Sequence, residues 1–298
     1  MKLDLRLGSK KISLGRKKIN RSWYGNIMNV LFLGALGYFM ALPLVFVISN
    51  AFKPIDEILT FPPKFLVHRP TLSNFSDLYN LLSGSWVPFS RYVFNTFFIA
   101  IVGTAAHVII ASMAAYPIAK RKFPGRTFLF TIVVLSLMFS ATVTQVTNYM
   151  TMSWLGMIDT YWAIIIPAIG SSLGFYLMKQ FMENIPDTLL EAAQIDGCSE
   201  FRIYWNIVMP VVKPAWLTLI IFSFQSLWGA GGSVGSMYIY SEQLKSIDYA
   251  LSQILAGGII RIGPSMAATL LLIAVPILIF VFAQSNIIQT MSTSGMKD

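Results

Sequence analysis

Charge is what this sequence has least of. Of its 298 residues, 12% are charged and 55% are hydrophobic. Soluble domains carry about 25% charged residues, so half that fraction points to lipid as the solvent for much of the chain. A single cysteine, Cys198, excludes an internal disulfide. The only two histidines, His68 and His107, stand far apart, which leaves no zinc-ligand spacing. The GxxxxGK[ST] phosphate loop is missing, so the chain carries no recognisable ATP-binding chemistry. Alternation of polar and apolar residues is also missing from the long apolar runs, which excludes the strands of a membrane barrel.

What is present is a set of long apolar runs. A bilayer core about 30 Å thick needs about 20 apolar residues per helix. Six segments meet that length: roughly 27–49, 92–119, 127–149, 160–178, 214–236 and 264–284. The first follows a basic start, as in a signal peptide. It is too long for one and shows no clear small-residue cleavage site, so it reads as a retained anchor. The expected organisation is a basic tail (1–26), the first span with its outer loop (27–90), a core of five further spans (91–285) and a tail (286–298). Within the outer loop, LSNFSDLYNLL reads as a short amphipathic helix with Ser73 or Asn74 as its cap.

The net charge of +9 raises the question of nucleic acid, but its distribution answers otherwise. Eight basic residues precede the first span, and Lys120, Arg121, Lys122 and Arg126 fill the short link between spans two and three. With the N-terminus inside, sixteen of the 22 basic residues fall on the inner side and six outside. The positive-inside rule therefore selects cytoplasmic N- and C-termini. The basic runs read as membrane orientation and contact with anionic lipid, with no nucleic-acid partner.

The acids are patterned too. Glu183, Asp187, Glu191, Asp196 and Glu200 cluster in the inner loop of about 179–213. Pro186–Asp187 suits a helix start, and Gly197 suits its stop. Ser199 suits the cap of a second helix with Glu200 in its first turn, and Pro210 and Pro214 separate that helix from span five. The result is a helix–glycine–helix elbow with an anionic edge and small residues at Ala192 and Ala193. Two readings fit it: a ball for a groove in a partner protein, or an amphipathic link lying on headgroups. Anionic lipid disfavours acids at its surface.

The stretch EAAQIDGCSEFRIYWNIVMP, residues 191–210, resembles the EAA loop of binding-protein-dependent ABC importer permeases. Glu191, Ala192, Ala193, Gly197, Ile207 and Pro210 fall in its register, and Asp196 fits the sugar-importer version. Met209 stands where leucine is usual. About residues 91–285 resemble the type I permease core, and the six-span layout is similar to the smaller permease of maltose-type carbohydrate importers. The resemblance implies an all-α membrane protein of six transmembrane helices with a cytoplasmic coupling helix. It implies a non-enzymatic subunit with no cofactor of its own, ATP and Mg being bound by a partner ATPase. The implied partners are two cytosolic ATPase subunits, an extracytoplasmic solute-binding protein and a second homologous permease, a heterodimer being favoured over a homodimer. Glu191 would be the polar contact to the ATPase, Ala192 and Ala193 would permit close approach, and Gly197 would form the elbow. The implied function is uptake of a sugar or oligosaccharide; an ABC permease for another solute remains open.

Polar residues inside spans often line a path. Gln145 and Asn148 are three apart and share a face, with Tyr149 adjacent; span five offers Gln225 and Trp228. Amides and aromatic rings suit a sugar, and the same residue types suit interhelical hydrogen bonds. Trp228 departs from the family's usual Trp-Asn-Asp/Glu, being followed by Gly229, Ala230, Gly231 and Gly232. His107, deep in span two, reads as a packed, hydrogen-bonded side chain. The alternative of an ion-coupled secondary transporter would need buried ionisable partners that the spans lack.

Overall fold

The computed structural model of the chain describes residues 23–84, 86–230, 235–258 and 261–294. Most of the expected basic tail (1–22), residues 231–234 of the glycine run and the last four residues lie outside these. Among the described residues, regular structure is helical throughout. Two compact units are distinguished, Met1–Phe46 and Val47–Asp298. Within the first, the helix α1 (Trp23–Ala51) begins, and its most apolar 18-residue window is unburied.

In the second unit, α1 ends at Ala51 and a short α2 (Ile55–Ile58) and α3 (Ser73–Ser83) follow. The long α4 (Phe89–Lys120) packs against more elements of this unit than any other helix does. Gly125, with φ of +87°, turns the chain into α5 (Arg126–Ser136), and α6 (Ala141–Trp154) continues after a break. Then come α7 (Trp162–Ile169), α8 (Ser172–Glu183), α9 (Asp187–Ile195) and α10 (Glu200–Ile203). A π-helical turn, Tyr204–Val208, links α10 to α11 (Met209–Val211), and α12 (Lys213–Trp228) leaves at 79° to that segment. After α12 come α13 (Gly235–Tyr238), a 3₁₀ turn at Glu242–Leu244, α14 (Ile247–Leu255) and α15 (Ile262–Ser294).

Among the described residues, four helical stretches are long and apolar enough to cross a membrane, α7 with α8 counting as one of them, and five if the bent pair around Val212 is one span. The expected third span, 127–149, is two helices: Leu137 closes α5 and Ser140, in an extended conformation, opens α6. The expected fourth span is interrupted at Gly170–Ser171, where α7 ends and Ser171 turns extended. The fifth stops at Trp228 rather than 236, with Gly229 at its cap. Helix α15 runs on to Ser294, through most of the stretch expected as a tail.

Three buried clusters hold the second unit together. The first joins α4, α8, the elbow and α12 through residues such as Ala115, Met178, Leu190, Ile203 and Leu219. The second joins α4, α7 and α12 around Ile99, Ile165 and Trp228. The third joins α3, α14 and α15 around Leu78, Leu251 and Ala267.

Polar ties join the helix connections. Asn74 does not cap α3; its amide donates to the carbonyls of Asn50 (3.3 Å), Ala51 (2.9 Å) and Lys53 (2.7 Å), the open C-terminal end of α1. Ser73 is the first residue of α3 and its N–H bonds the Thr71 hydroxyl. Asn95, fully buried on α4, donates to the carbonyls of Gln243 and Lys245, both at 2.8 Å, and accepts from Tyr161 at 2.7 Å. Asp159, at φ of +63°, accepts from the backbone N–H groups of Tyr240 and Ser241 at 2.9 and 2.8 Å.

Candidate functional site: the elbow before α12

Helix α9 begins as its sequence dictates. Pro186 takes the N-cap position with an extended backbone, and Asp187 is the first helical residue. At its other end the Gly197 N–H bonds the Gln194 carbonyl and the Cys198 N–H bonds the Ala193 carbonyl, both at 3.0 Å. This paired pattern ends a helix on a left-handed residue, and Gly197 has φ of +78°. Ser199 then opens α10 from an extended conformation, though its hydroxyl makes no cap bond.

The elbow's two sides differ. Leu190 and Ala193 turn toward the core and join the first cluster, with Ile207 packed against it. Glu191, Ala192, Asp196, Gly197 and Pro210 face outward. Beside them stand exposed apolar side chains: Leu189, Phe201 and above all Ile195, 87% exposed. Ala193 therefore permits close approach to this chain's own core rather than to an outside surface, a correction to the expectation that it would face a partner. The periodicity that places Ala193 on the side of Leu190, three residues earlier, is the signal that would have shown it.

Two basic residues at the C-terminal end of α4 clamp the elbow. Lys120 Nζ donates to the Glu183 carbonyl at 3.2 Å, to the Ile185 carbonyl and to the Asp187 carboxylate at 2.7 Å. Arg121 Nη2 bonds both Glu200 carboxylate oxygens, at 2.5 and 2.6 Å. Tyr116 and Gln194 also donate to Glu200, at 3.0 and 3.1 Å. Partial burial raises the Glu200 pKa, but the bonds from Arg121 and Tyr116 outweigh it and hold the group below the usual carboxylate range. The Lys120 hydrogen bond and charge likewise hold Asp187 low. Sequence reading assigns these cations to topology alone. Their partners lie 67 and 79 residues away along the chain, beyond any local pattern.

The candidate path residues divide. Gln145 and Tyr149 converge on the segment after α12: Gln145 Nε2 lies 3.5 Å from Met237 Sδ, and the Tyr149 and Tyr240 hydroxyls are 2.9 Å apart. Asn148 is half-buried on the same helix. Gln225 lies on the exposed side of α12. Trp228 is no lining residue. It is 5% exposed, stacks on Phe224, meets Phe97 edge-on and donates its indole N–H to the Leu272 carbonyl at 3.0 Å. Both its ring and its donor are committed to packing, which corrects the expectation that it lines a path.

Comparison with known proteins places this architecture. A family described as "Binding-protein-dependent transport system inner membrane component" matches residues 35–293. Protein LplC of Bacillus subtilis (strain 168) is 33% identical over 208 residues, 68% of this chain and 66% of that protein. The polygalacturonan/rhamnogalacturonan transport system permease protein YtcP of the same strain is 29% identical over 197 residues, 66% of each chain. The chain thus spans just under two thirds of the length of these two relatives. A chain in the crystal structure of a bacterial ABC transporter involved in the import of the acidic polysaccharide alginate superposes with a TM-score of 0.75. That match has 20% identity and covers 87% of this chain and 95% of that one, so the two share a fold. With a family match that runs from within the first apolar helix to the end of the last, this chain belongs to the inner-membrane components of binding-protein-dependent transport systems.

Proposed function

We propose that the chain is the permease subunit of an ATP-driven importer that takes up a sugar or oligosaccharide handed over by an extracytoplasmic binding protein. The observation that carries this is the elbow. It is clamped to α4 on one side and presents Glu191, Ala192, Leu189 and Ile195 on the other. A rigid, half-apolar, half-acidic knob of this kind transmits force only if a partner grips it. Its partners are two cytosolic ATPase subunits, which bind ATP and Mg, and a second homologous permease, different in sequence from this one.

In this reading the membrane is crossed six times: by α1, α4, α5 with α6, α7 with α8, α12 and α15. Both termini then lie in the cytoplasm, as the basic residues direct. ATP-driven approach of the two ATPases moves the elbows, and α4 and α12 carry that motion into the spans. Asp196 and Gly197 shape the knob, while Ala193, Ile207 and Pro210 seat it. Gln145, Asn148, Tyr149 and Gln225 line the path. The saccharide class rests on relatives such as YtcP, whose name specifies polygalacturonan/rhamnogalacturonan transport.

The test is uptake by proteoliposomes holding this chain with its co-purified permease and ATPases, with the binding protein outside. Uptake should require enclosed ATP and stop with orthovanadate. Uptake that ignores ATP and collapses with a protonophore would overturn the reading.

A further inference from the structure

A cavity of about 300 Å³ is lined by none of the residues assigned to the elbow or to the path. It sits between the end of α3, the start of α4, the 3₁₀ turn at Glu242–Leu244, α14 and the residue before α15. Part of its lining is apolar and buried, at Leu82 and Ile254. Tyr92, 5% exposed, lines it as well. The Tyr92 hydroxyl has no hydrogen-bond partner among the described residues, yet it is not sealed from solvent, so it opens into the cavity.

The charges around it are unequal. Glu242 is the one acid among the described lining residues, and Lys245 pairs with it. Lys245 Nζ also lies over the Tyr249 ring, 3.9 Å from its centroid, which steadies that wall. Arg261, half-buried, is left as the cavity's uncompensated charge: its guanidinium has no partner among the described residues. It lies against the Gly257 backbone, where a Cβ would fall 2.2 Å from Arg261 Cδ and 2.6 Å from Nε and push the side chain out. A free guanidinium, a phenol hydroxyl and the exposed Gln253 amide thus line one small, partly apolar space. Cavities with a few convergent polar groups suit small molecules, and a guanidinium takes a carboxylate through two parallel bonds. One cation beside an already paired acid matches the single charge of a carboxylate better than the nearly double charge of a phosphate.

We propose that this cavity binds the carboxylate-bearing unit of an acidic saccharide, a uronate, with Arg261 on the carboxylate and Tyr92 and Gln253 on ring hydroxyls. In the proposed topology the connection from α12 to α15 is extracytoplasmic, so the site is open to saccharide outside the membrane. The ligand class rests on the saccharide-import reading and adds to it a binding site for acidic units at the extracytoplasmic ends of the helices.

The test uses the complete importer in lipid nanodiscs, without the binding protein, carrying Leu81→Cys at the cavity wall, a position 36% exposed. Modification by N-ethylmaleimide there is followed by peptide mass, which separates it from Cys198. The probes are D-galacturonate, D-galactose and acetate. D-galacturonate should slow labelling by about tenfold at nine times its half-protecting concentration; D-galactose and acetate at the same concentration should not. Arg261→Gln should raise the half-protecting concentration about tenfold or more, and Tyr92→Phe, which keeps the ring in place, about fivefold. Equal protection by D-galactose would mean that no carboxylate is read, and equal protection by acetate that any small anion suffices; either overturns the proposal. So would no protection at all, or protection that survives Arg261→Gln unchanged. Protection that appears only when the solute-binding protein is added, with no effect of free D-galacturonate, would make the cavity a docking socket and overturn it as well. ATP-dependent uptake in proteoliposomes is measured separately: its failure strikes the import reading, because labelling does not depend on turnover.

Discussion

Reversing one charge in the α4 clamp should loosen the elbow, and restoring the pair should tighten it. Arg121 holds Glu200 through two bonds of 2.5 and 2.6 Å, while their side chains are 36% and 57% exposed. That exposure keeps the pair within the range of surface ion pairs, and short contacts from one guanidinium nitrogen to both carboxylate oxygens put it at the upper end, about 1 kcal/mol. In Arg121→Glu the attraction is lost and a repulsion of similar size replaces it, about 2 kcal/mol together, or about 30-fold in local opening. Hydrogen exchange of the backbone amides in 187–203 reads that opening directly. Protection there should fall about 30-fold in Arg121→Glu and in Glu200→Arg. The double variant Arg121→Glu/Glu200→Arg should recover most of it. Uptake per ATP hydrolysed should follow the same order, because a loosened elbow moves without carrying α4. Unchanged protection in the single variants, or a double variant no better than either, would refute the clamp.

Acid should act on the same contacts. Glu200 and Asp187 have carboxyl pKa values held below their ordinary 4.5 and 3.8 in the folded chain. Their stabilisation is therefore complete above those ordinary values and is lost as pH falls through the lowered ones. Protection of 187–203, corrected for intrinsic rate, should be flat from neutral pH to about 5 and fall only in stronger acid. Gly197→Ala should cost about 1–2 kcal/mol, since an L side chain is strained at φ of +78°. Amides at the α9 end would report it, and unchanged exchange there would argue against the left-handed turn. Gly263→Ala should lower the thermal midpoint of the purified complex. Its Cβ would fall 2.2 Å from Asn74 Oδ1 and dislodge the amide that holds three carbonyls at the end of α1. An unchanged midpoint would show that Asn74 can move freely.

Much of this architecture is written locally in the chain. The apolar runs that predict α1, α4 and α15 need only length and absence of charge. The elbow's start at Pro186–Asp187 and its stop at Gly197 follow from backbone preference. What the pattern hides has a common cause. Inside a membrane protein both the core and the lipid face are apolar, so periodicity does not announce an interruption. The breaks at Leu137–Ser140 and Gly170–Ser171 are marked only by small polar residues, and the π turn at Tyr204–Val208 by nothing local. The same degeneracy makes Trp228 resemble a sugar platform, although Phe224, Phe97 and Leu272 occupy it. The clamp is hidden differently: Lys120 and Arg121 satisfy the orientation rule fully, which leaves no residual signal that they also bind Asp187 and Glu200.

The central claim is that the exposed side of the elbow is gripped by an ATPase on another polypeptide. Cysteine placed at Glu191, Ala192 or Ile195, each on that side, and joined to a short bifunctional reagent tests it in native membranes. The account predicts adducts with a cytosolic ATPase subunit whose yield changes when ATP is added, and none from a cysteine at buried Ala193. Labelling that reaches only lipid from all three outward positions would contradict it.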